Sequence, residues 1–123
     1  MSTAYLLLGS NQGDRQAILQ QALVLLEGPA GHIVQRSGIY ETAAWGNTDQ
    51  PSFLNQAVQL QTRLAPEALL SATQAIEHRL GRLRIEKWGQ RTLDIDILFY
   101  DDLQMDTPQL RIPHPELGNR RFA

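Results

Sequence analysis

Arg91-Thr92-Leu93-Asp94-Ile95-Asp96-Ile97-Leu98-Phe99-Tyr100 sets Leu93, Ile95, Ile97 and Phe99 in alternation with Asp94, Asp96, Leu98 and Tyr100. A period of two is the pattern of a half-buried strand, and it predicts one over 92–100. Successive side chains leave a strand on opposite faces, so Asp94 and Asp96 share one. At a rise of ~3.3 Å per residue they stand about 6.6 Å apart at the backbone. Asp is disfavoured in strands, and two like charges side by side repel unless something neutralises them. Hard oxygen donors at this spacing suit Mg²⁺, above all a metal pair ~3.5–4 Å apart that also binds phosphates. A solvated face on an ordinary edge strand accounts for the pair equally well.

Immediately upstream lie Arg82, Arg84, Lys87, Trp88 and Arg91. Cations beside a carboxylate pair suit a polyanion bridged to metal, as in phosphoryl transfer, where positioning and charge neutralisation supply most of the catalysis. A guanidinium matches phosphate oxygens two at a time, and an indole offers a face to a planar base. The competing account is a set of solvated loop charges balancing nearby acids.

The rest of the chain places that strand in a fold. Ala4–Leu8 is a short apolar run suited to a central strand. Gly9-Ser10-Asn11-Gln12-Gly13-Asp14 reads as a turn ending in a good N-cap, before a helix with Ile18, Ala22, Leu25 and Leu26 as its apolar stripe. The turn lacks the Lys-Ser/Thr ending of a Walker A loop, so a tight strand-to-helix connection is its expected role. Gly28-Pro29 stops the helix. A second strand is expected over Ile33–Tyr40, a long loop rich in Gly, Asn, Thr, Asp and Pro over 41–52, and a third strand over Phe53–Thr62. Pro66 suits the first turn of a second helix, whose stripe is Leu69, Thr73, Ile76 and Leu80. The order β-α-β-β-α-β predicts an α+β, ferredoxin-like domain, an antiparallel four-stranded sheet with both helices on one face. The other face is left to line a site, with Asp94, Asp96 and Asn55 as candidates.

Composition bounds the function. The 123 residues are 42% hydrophobic and 20% charged, with 11 basic against 13 acidic residues and a formal charge of −2. That balance disfavours a general nucleic-acid binder, so the cations at 82–91 suit a small anionic ligand. There is no cysteine, which removes thiolate chemistry and disulfides. No signal peptide or membrane-length apolar run is present, and the cytoplasm is the expected compartment. His32 and His78 have no second ligand at metal spacing and read as surface residues. His114, held between prolines in Ile112-Pro113-His114-Pro115, reads on spacing alone as structural. Gln74 and Glu77 share one helix face, where a plain polar surface is the simpler account.

Trp88-Gly89-Gln90-Arg91-Thr92-Leu93-Asp94-Ile95-Asp96-Ile97 resembles the signature of the hydroxymethyldihydropterin pyrophosphokinase family of folate biosynthesis. Tyr5 through Asn11, Gln50 through Val58, and Ile112-Pro113-His114-Pro115 resemble further family motifs in the same order, so the likeness spans essentially the whole chain. It implies transfer of the terminal diphosphate of ATP to the hydroxymethyl group of a reduced pterin, releasing AMP. Asp94 and Asp96 would hold two Mg²⁺ ions, and Arg82 and Arg91 would act during transfer. Gln74, Glu77, Arg84 and Trp88 match family positions that contact ATP. So do Arg91, Ile97, His114 and Arg120. Thr42, Trp45, Phe53, Asn55 and Phe122 match the pterin pocket. Two stretches depart from the family pattern: Gln90 replaces a small residue or Pro, and Ala43-Ala44-Trp45 a proline-containing stretch. Relatives continue with a helical segment beyond Ala123, so the expectation is one pyrophosphokinase domain over 1–123 lacking that segment. The expected partners are two small-molecule substrates, with neither nucleic acid nor membrane, and the expected state is a monomer. The rival readings are a noncatalytic nucleotide- or pterin-binding relative, and an RNA-binding module of the same strand order. The RNA reading fails on charge balance and on the missing stacking aromatics.

Overall fold

The computed structural model describes residues 1–42, 52–81 and 93–115. Its elements run β1 (Ser2–Ser10), α1 (Arg15–Leu26), β2 (His32–Arg36), β3 (Tyr40–Thr42), β4 (Phe53–Thr62), α2 (Pro66–Gly81) and β5 (Asp94–Tyr100), followed by β6 (Met105–Asp106) and β7 (Arg111–Ile112). The main sheet has the order β2-β4-β1-β5, with β3 also paired to β4. Every pairing is antiparallel. This is the expected split β-α-β-β-α-β arrangement, with a β6–β7 hairpin added after the last strand of the sheet.

The apolar pattern decides which face the helices cover. Ala4, Leu6 and Leu8 of β1, Val58 and Leu60 of β4, and Ile95 and Ile97 of β5 are buried in one cluster with Leu19, Ala22, Leu23 and Leu26 of α1 and Leu69, Ile76 and Leu80 of α2. Residues of opposite parity on the same strands look the other way. At roughly 25 cal/mol per Å² of apolar surface removed from water, this shared layer is the main stabiliser of the fold. The Asp14 carboxylate caps α1 by accepting from the Ala17 amide at 3.1 Å. Among the described residues no helix is long and apolar enough to cross a membrane.

Five expectations change. The strand over Ile33–Tyr40 is two strands, β2 and β3, which pair with different stretches of β4. Ser37 sits in the break, its hydroxyl accepting from the Ala57 amide while its own amide donates to the Ala57 carbonyl. β1 continues through Gly9 and Ser10, residues expected in the turn, because both keep their register with β4. The buried stripe of α1 is Leu19, Ala22, Leu23 and Leu26, with Ile18 and Leu25 only partly buried at its sides. In β5 a register shift falls opposite Tyr5/Leu6. The inserted residue, Leu98, reverses the alternation, so Phe99 pairs with Tyr5 and Tyr100 joins the core cluster. The expected 41–52 loop begins inside β3, and residues 43–51 lie outside the described residues.

Candidate active site

The open face of the sheet carries the acidic pair. Asp94 and Asp96 are half-buried while Ile95 and Ile97 between and beyond them are buried, so the two carboxylates do leave β5 on one side. Their positions in the sheet are fixed by β1, with Asp94 opposite Gly9 and Asp96 opposite Leu7. On its other edge β1 sets Gly9 opposite Asn55 of β4. Asp94 and Asn55 are thus the two immediate neighbours of one glycine. With strands ~4.8 Å apart they stand about 10 Å from each other.

Gly9 keeps that gap clear. A Cβ at this position would lie 3.2 Å from Asn55 Oδ1 and 3.5 Å from Phe53 Cδ1. The glycine is needed for close approach rather than for backbone freedom. Beyond it, Asn55 Nδ2 donates to Thr42 Oγ1 at 2.8 Å, which directs Oδ1 toward the glycine. Thr42 is registered with Phe53, and Tyr40 with Asn55. The structure therefore brings together Thr42, Phe53 and Asn55 on one side of Gly9, and Asp94 and Asp96 on the other.

His114 reaches the pair from the segment after β7. Its amide donates to the Leu98 carbonyl at 3.1 Å, and its Nε2 lies 3.5 Å from Asp96 Oδ1, with both side chains about one-fifth exposed. The histidine is thus part of the acidic site. From behind β5, Glu77 on α2 accepts a 2.7 Å hydrogen bond from the Ile95 amide. Among the described residues no strand pairs with the far side of β5, so Glu77 satisfies a donor that an edge strand would leave unpaired. Gln74, one turn earlier, is exposed. The Ile97 side chain is 3% exposed and belongs to the core. What Ile97 can offer a ligand is its backbone, which shares the parity of Ile95 and turns to the same edge. Arg82, Arg84, Trp88, Arg91, Trp45, Arg120 and Phe122 lie outside the described residues.

The donor set fits Mg²⁺. Among the described residues no three His, Cys, Asp or Glu side chains gather as a metal cage. Two hard carboxylates on one face are what Mg²⁺ takes from a protein when waters and substrate phosphates supply its other ligands.

The sequence reading missed one group. Arg15, the first residue of α1, donates from Nη1 to the Ser52 carbonyl at 2.9 Å and to Ser52 Oγ at 3.0 Å, and lies 3.5 Å from Glu41 Oε2. The Ser52 hydroxyl in turn donates to the Glu41 carboxylate. These two contacts hold the Glu41 carboxyl below its ordinary value, the serine hydroxyl first and Arg15 second. One signal was available: a cation in the first turn opposes the helix dipole, so Arg15 there hints at a partner elsewhere.

Comparison with known proteins gives the geometry its family. The family model for 7,8-dihydro-6-hydroxymethylpterin-pyrophosphokinase (HPPK) matches residues 5–123. The chain belongs to the HPPK family. It is 48% identical over 121 residues to the 2-amino-4-hydroxy-6-hydroxymethyldihydropteridine pyrophosphokinase of Bacillus subtilis, covering 98% of this chain and 72% of that protein. The enzyme of the same name from Methylorubrum extorquens is 45% identical over 124 residues, covering all of this chain and 78% of its own length. Among solved structures, the HPPK-DHPS of Plasmodium falciparum with pteroate superposes with a TM-score of 0.76 over 97% of this chain. This chain spans 37% of that protein, and at 18% identity the likeness establishes the HPPK fold alone.

Proposed function

We propose that this chain transfers the terminal diphosphate of ATP to the hydroxymethyl group of a reduced hydroxymethylpterin, releasing AMP, as a step of folate biosynthesis. The observation that carries the reading is the open face itself. In a member of the HPPK family, Asp94 and Asp96 stand on one side of Gly9, and Asn55 with Thr42 and Phe53 on the other.

Asn55 Oδ1, directed by the bond to Thr42, accepts from the polar edge of the pterin, and Phe53 offers its ring to the flat of the bicycle. A pterin anchored there extends across the bare backbone of Gly9 and brings its hydroxymethyl oxygen toward the acidic pair. Asp94 and Asp96 would hold two Mg²⁺ ions, which when bound neutralise the phosphate charge and align the β-phosphorus with the attacking hydroxyl. His114, beside Asp96, sets its imidazole near the same phosphates. The exposed Gln74 and the edge backbone of Ile97 suit the nucleoside, with Glu77 behind them. Arg84, Trp88 and Arg120 complete the ATP contacts, and Trp45 and Phe122 the pterin pocket. Arg82 and Arg91 supply charge to the transferring group, and because positioning and electrostatics carry such a transfer, no covalent nucleophile is required. Residues 1–123 act in this reading as one pyrophosphokinase domain and as a monomer.

The deciding experiment incubates the chain with ATP, Mg²⁺ and 6-hydroxymethyl-7,8-dihydropterin. AMP and the pterin diphosphate should appear in equal amounts and only when all three are present. Binding of both substrates without AMP would make the chain a noncatalytic relative.

A further inference from the structure

Arg15, Glu41 and Ser52 come from three separate parts of the chain, and Glu41 and Ser52 are 11 positions apart. The face on which they meet follows from register. Glu41 pairs with Leu54, which pairs in turn with Ser10, and Leu54 packs against the core cluster. The neighbouring row, Thr42 with Phe53, has the opposite parity and faces the open side. The three residues therefore meet on the helix side of the sheet, behind the two open-face rows that carry Thr42 with Phe53 and Asn55 with Tyr40. β3 is short, with three residues in its ladder with β4, so the Asn55–Thr42 bond in front and the Arg15, Ser52 and Glu41 contacts behind both help to fix it laterally. Arg15 is suited to that task. Its side chain is 29% exposed, its planar fork is rigid, and one nitrogen meets two oxygens of Ser52 beside the Glu41 carboxylate.

We propose that Arg15 is a positioning residue for the pterin subsite: by tying Glu41 to Ser52 behind the sheet, its guanidinium sets the spacing of Thr42, Phe53 and Asn55 in front. Arg15 touches neither substrate in this scheme and acts on pterin binding alone, because the acidic pair is carried by β5, separated from β3 by both β4 and β1. The inference rests on the pterin reading of the Thr42 and Asn55 rows.

The test measures KM for the pterin and for ATP, kcat and thermal midpoint in the wild-type chain, Arg15→Ala, Arg15→Lys, Glu41→Ala and the double alanine variant. Loss of the tie should raise KM for the pterin about tenfold, the scale of a sub-ångström misplacement of binding groups. KM for ATP and kcat should stay within about twofold. Lysine, with a single point charge, should recover only part of the loss. The double variant should be no worse than the worse single one, since both break the same tie. If Arg15→Ala fails to fold, Arg15→Lys and Glu41→Ala carry the same comparison. An unchanged pterin KM, a parallel rise in both KM values, or additive effects of the two alanines would each overturn the proposal. A wild-type chain that binds no pterin would overturn the functional reading beneath it, and is told apart by being seen before any substitution.

Discussion

Glu77, near the end of α2, accepts a 2.7 Å hydrogen bond from the amide of Ile95, the residue between Asp94 and Asp96. A single carboxylate thus fixes the edge backbone from which both acidic side chains project. Replacing it by alanine leaves the amide unpaired in a half-buried position, at a cost of about 1.5–3 kcal/mol for a bond to a charged acceptor. Glu77→Ala should lower the urea midpoint and raise the Mg²⁺ concentration needed for half-maximal AMP release. Glu77→Gln, which keeps an acceptor oxygen, should retain most of both. A wild-type Mg²⁺ dependence in the alanine variant would show that Glu77 acts only on stability.

The acidic pair itself should separate function from folding. Asp94 and Asp96 are half-buried and face away from the apolar core, so neither is needed to build it. Asp94→Ala and Asp96→Ala should each unfold at or above the wild-type midpoint without metal, because one of two crowded like charges is gone. Turnover should fall by about a thousandfold or more, given the several kcal/mol a metal contributes to a phosphoryl transition state. Near-normal AMP release by either variant at saturating Mg²⁺ would exclude a metal role for the pair.

Gly9 gives the most local test. An alanine there places its Cβ 3.2 Å from Asn55 Oδ1, so the amide must give by a few tenths of an ångström, while the 3.5 Å to Phe53 Cδ1 is an ordinary contact. Overpacking of this kind costs about 1–3 kcal/mol, and here it is concentrated on the proposed pterin groups. Gly9→Ala should weaken pterin binding about tenfold by calorimetric titration and leave binding of an ATP analogue unchanged. Equal weakening of both ligands would mean that the strand, rather than the pocket, has moved.

These residues also show where sequence reading stops. The Asp94–Asp96 face was legible because polar and apolar residues alternate through Ile97. Past that point Leu98-Phe99-Tyr100 is uniformly apolar, so no polar residue marks the phase, and the bulge that reverses it leaves no trace in the pattern. α2 was legible from its spacing: the buried Leu69, Thr73, Ile76 and Leu80 recur at the helical intervals of four, three and four residues. α1 carries Ile18 and Leu25 beside Leu19 and Leu23, so hydrophobicity alone could not say which pairs lie at the centre of the stripe. Gly9 and Arg15 draw their meaning from partners on other strands. A linear pattern supplies the residue type, whereas the register of β1 with β4 and β5 supplies the role.

Acid should reveal the Arg15–Glu41–Ser52 tie. Glu41 is held below its ordinary 4.5 by the Ser52 hydroxyl and then by Arg15. Glu27 is held below 4.5 by His32 and the Ile33 amide, and Asp101 below 3.8 by the Thr3 amide and the Ser2 hydroxyl. A carboxylate whose folded-state pKa is depressed adds stability above its unfolded value and loses it as pH falls through the folded one. The thermal midpoint should therefore be nearly flat from neutrality to about pH 5 and fall increasingly below it. Glu41→Gln removes one of these titrations. It should start below the wild type at neutral pH, decline less steeply, and approach the wild-type midpoint once Glu41 is protonated in both states. Thermal melts followed by circular dichroism across this range would measure the two curves. Parallel curves would mean that the Glu41 carboxylate gains nothing from Ser52 and Arg15 on folding.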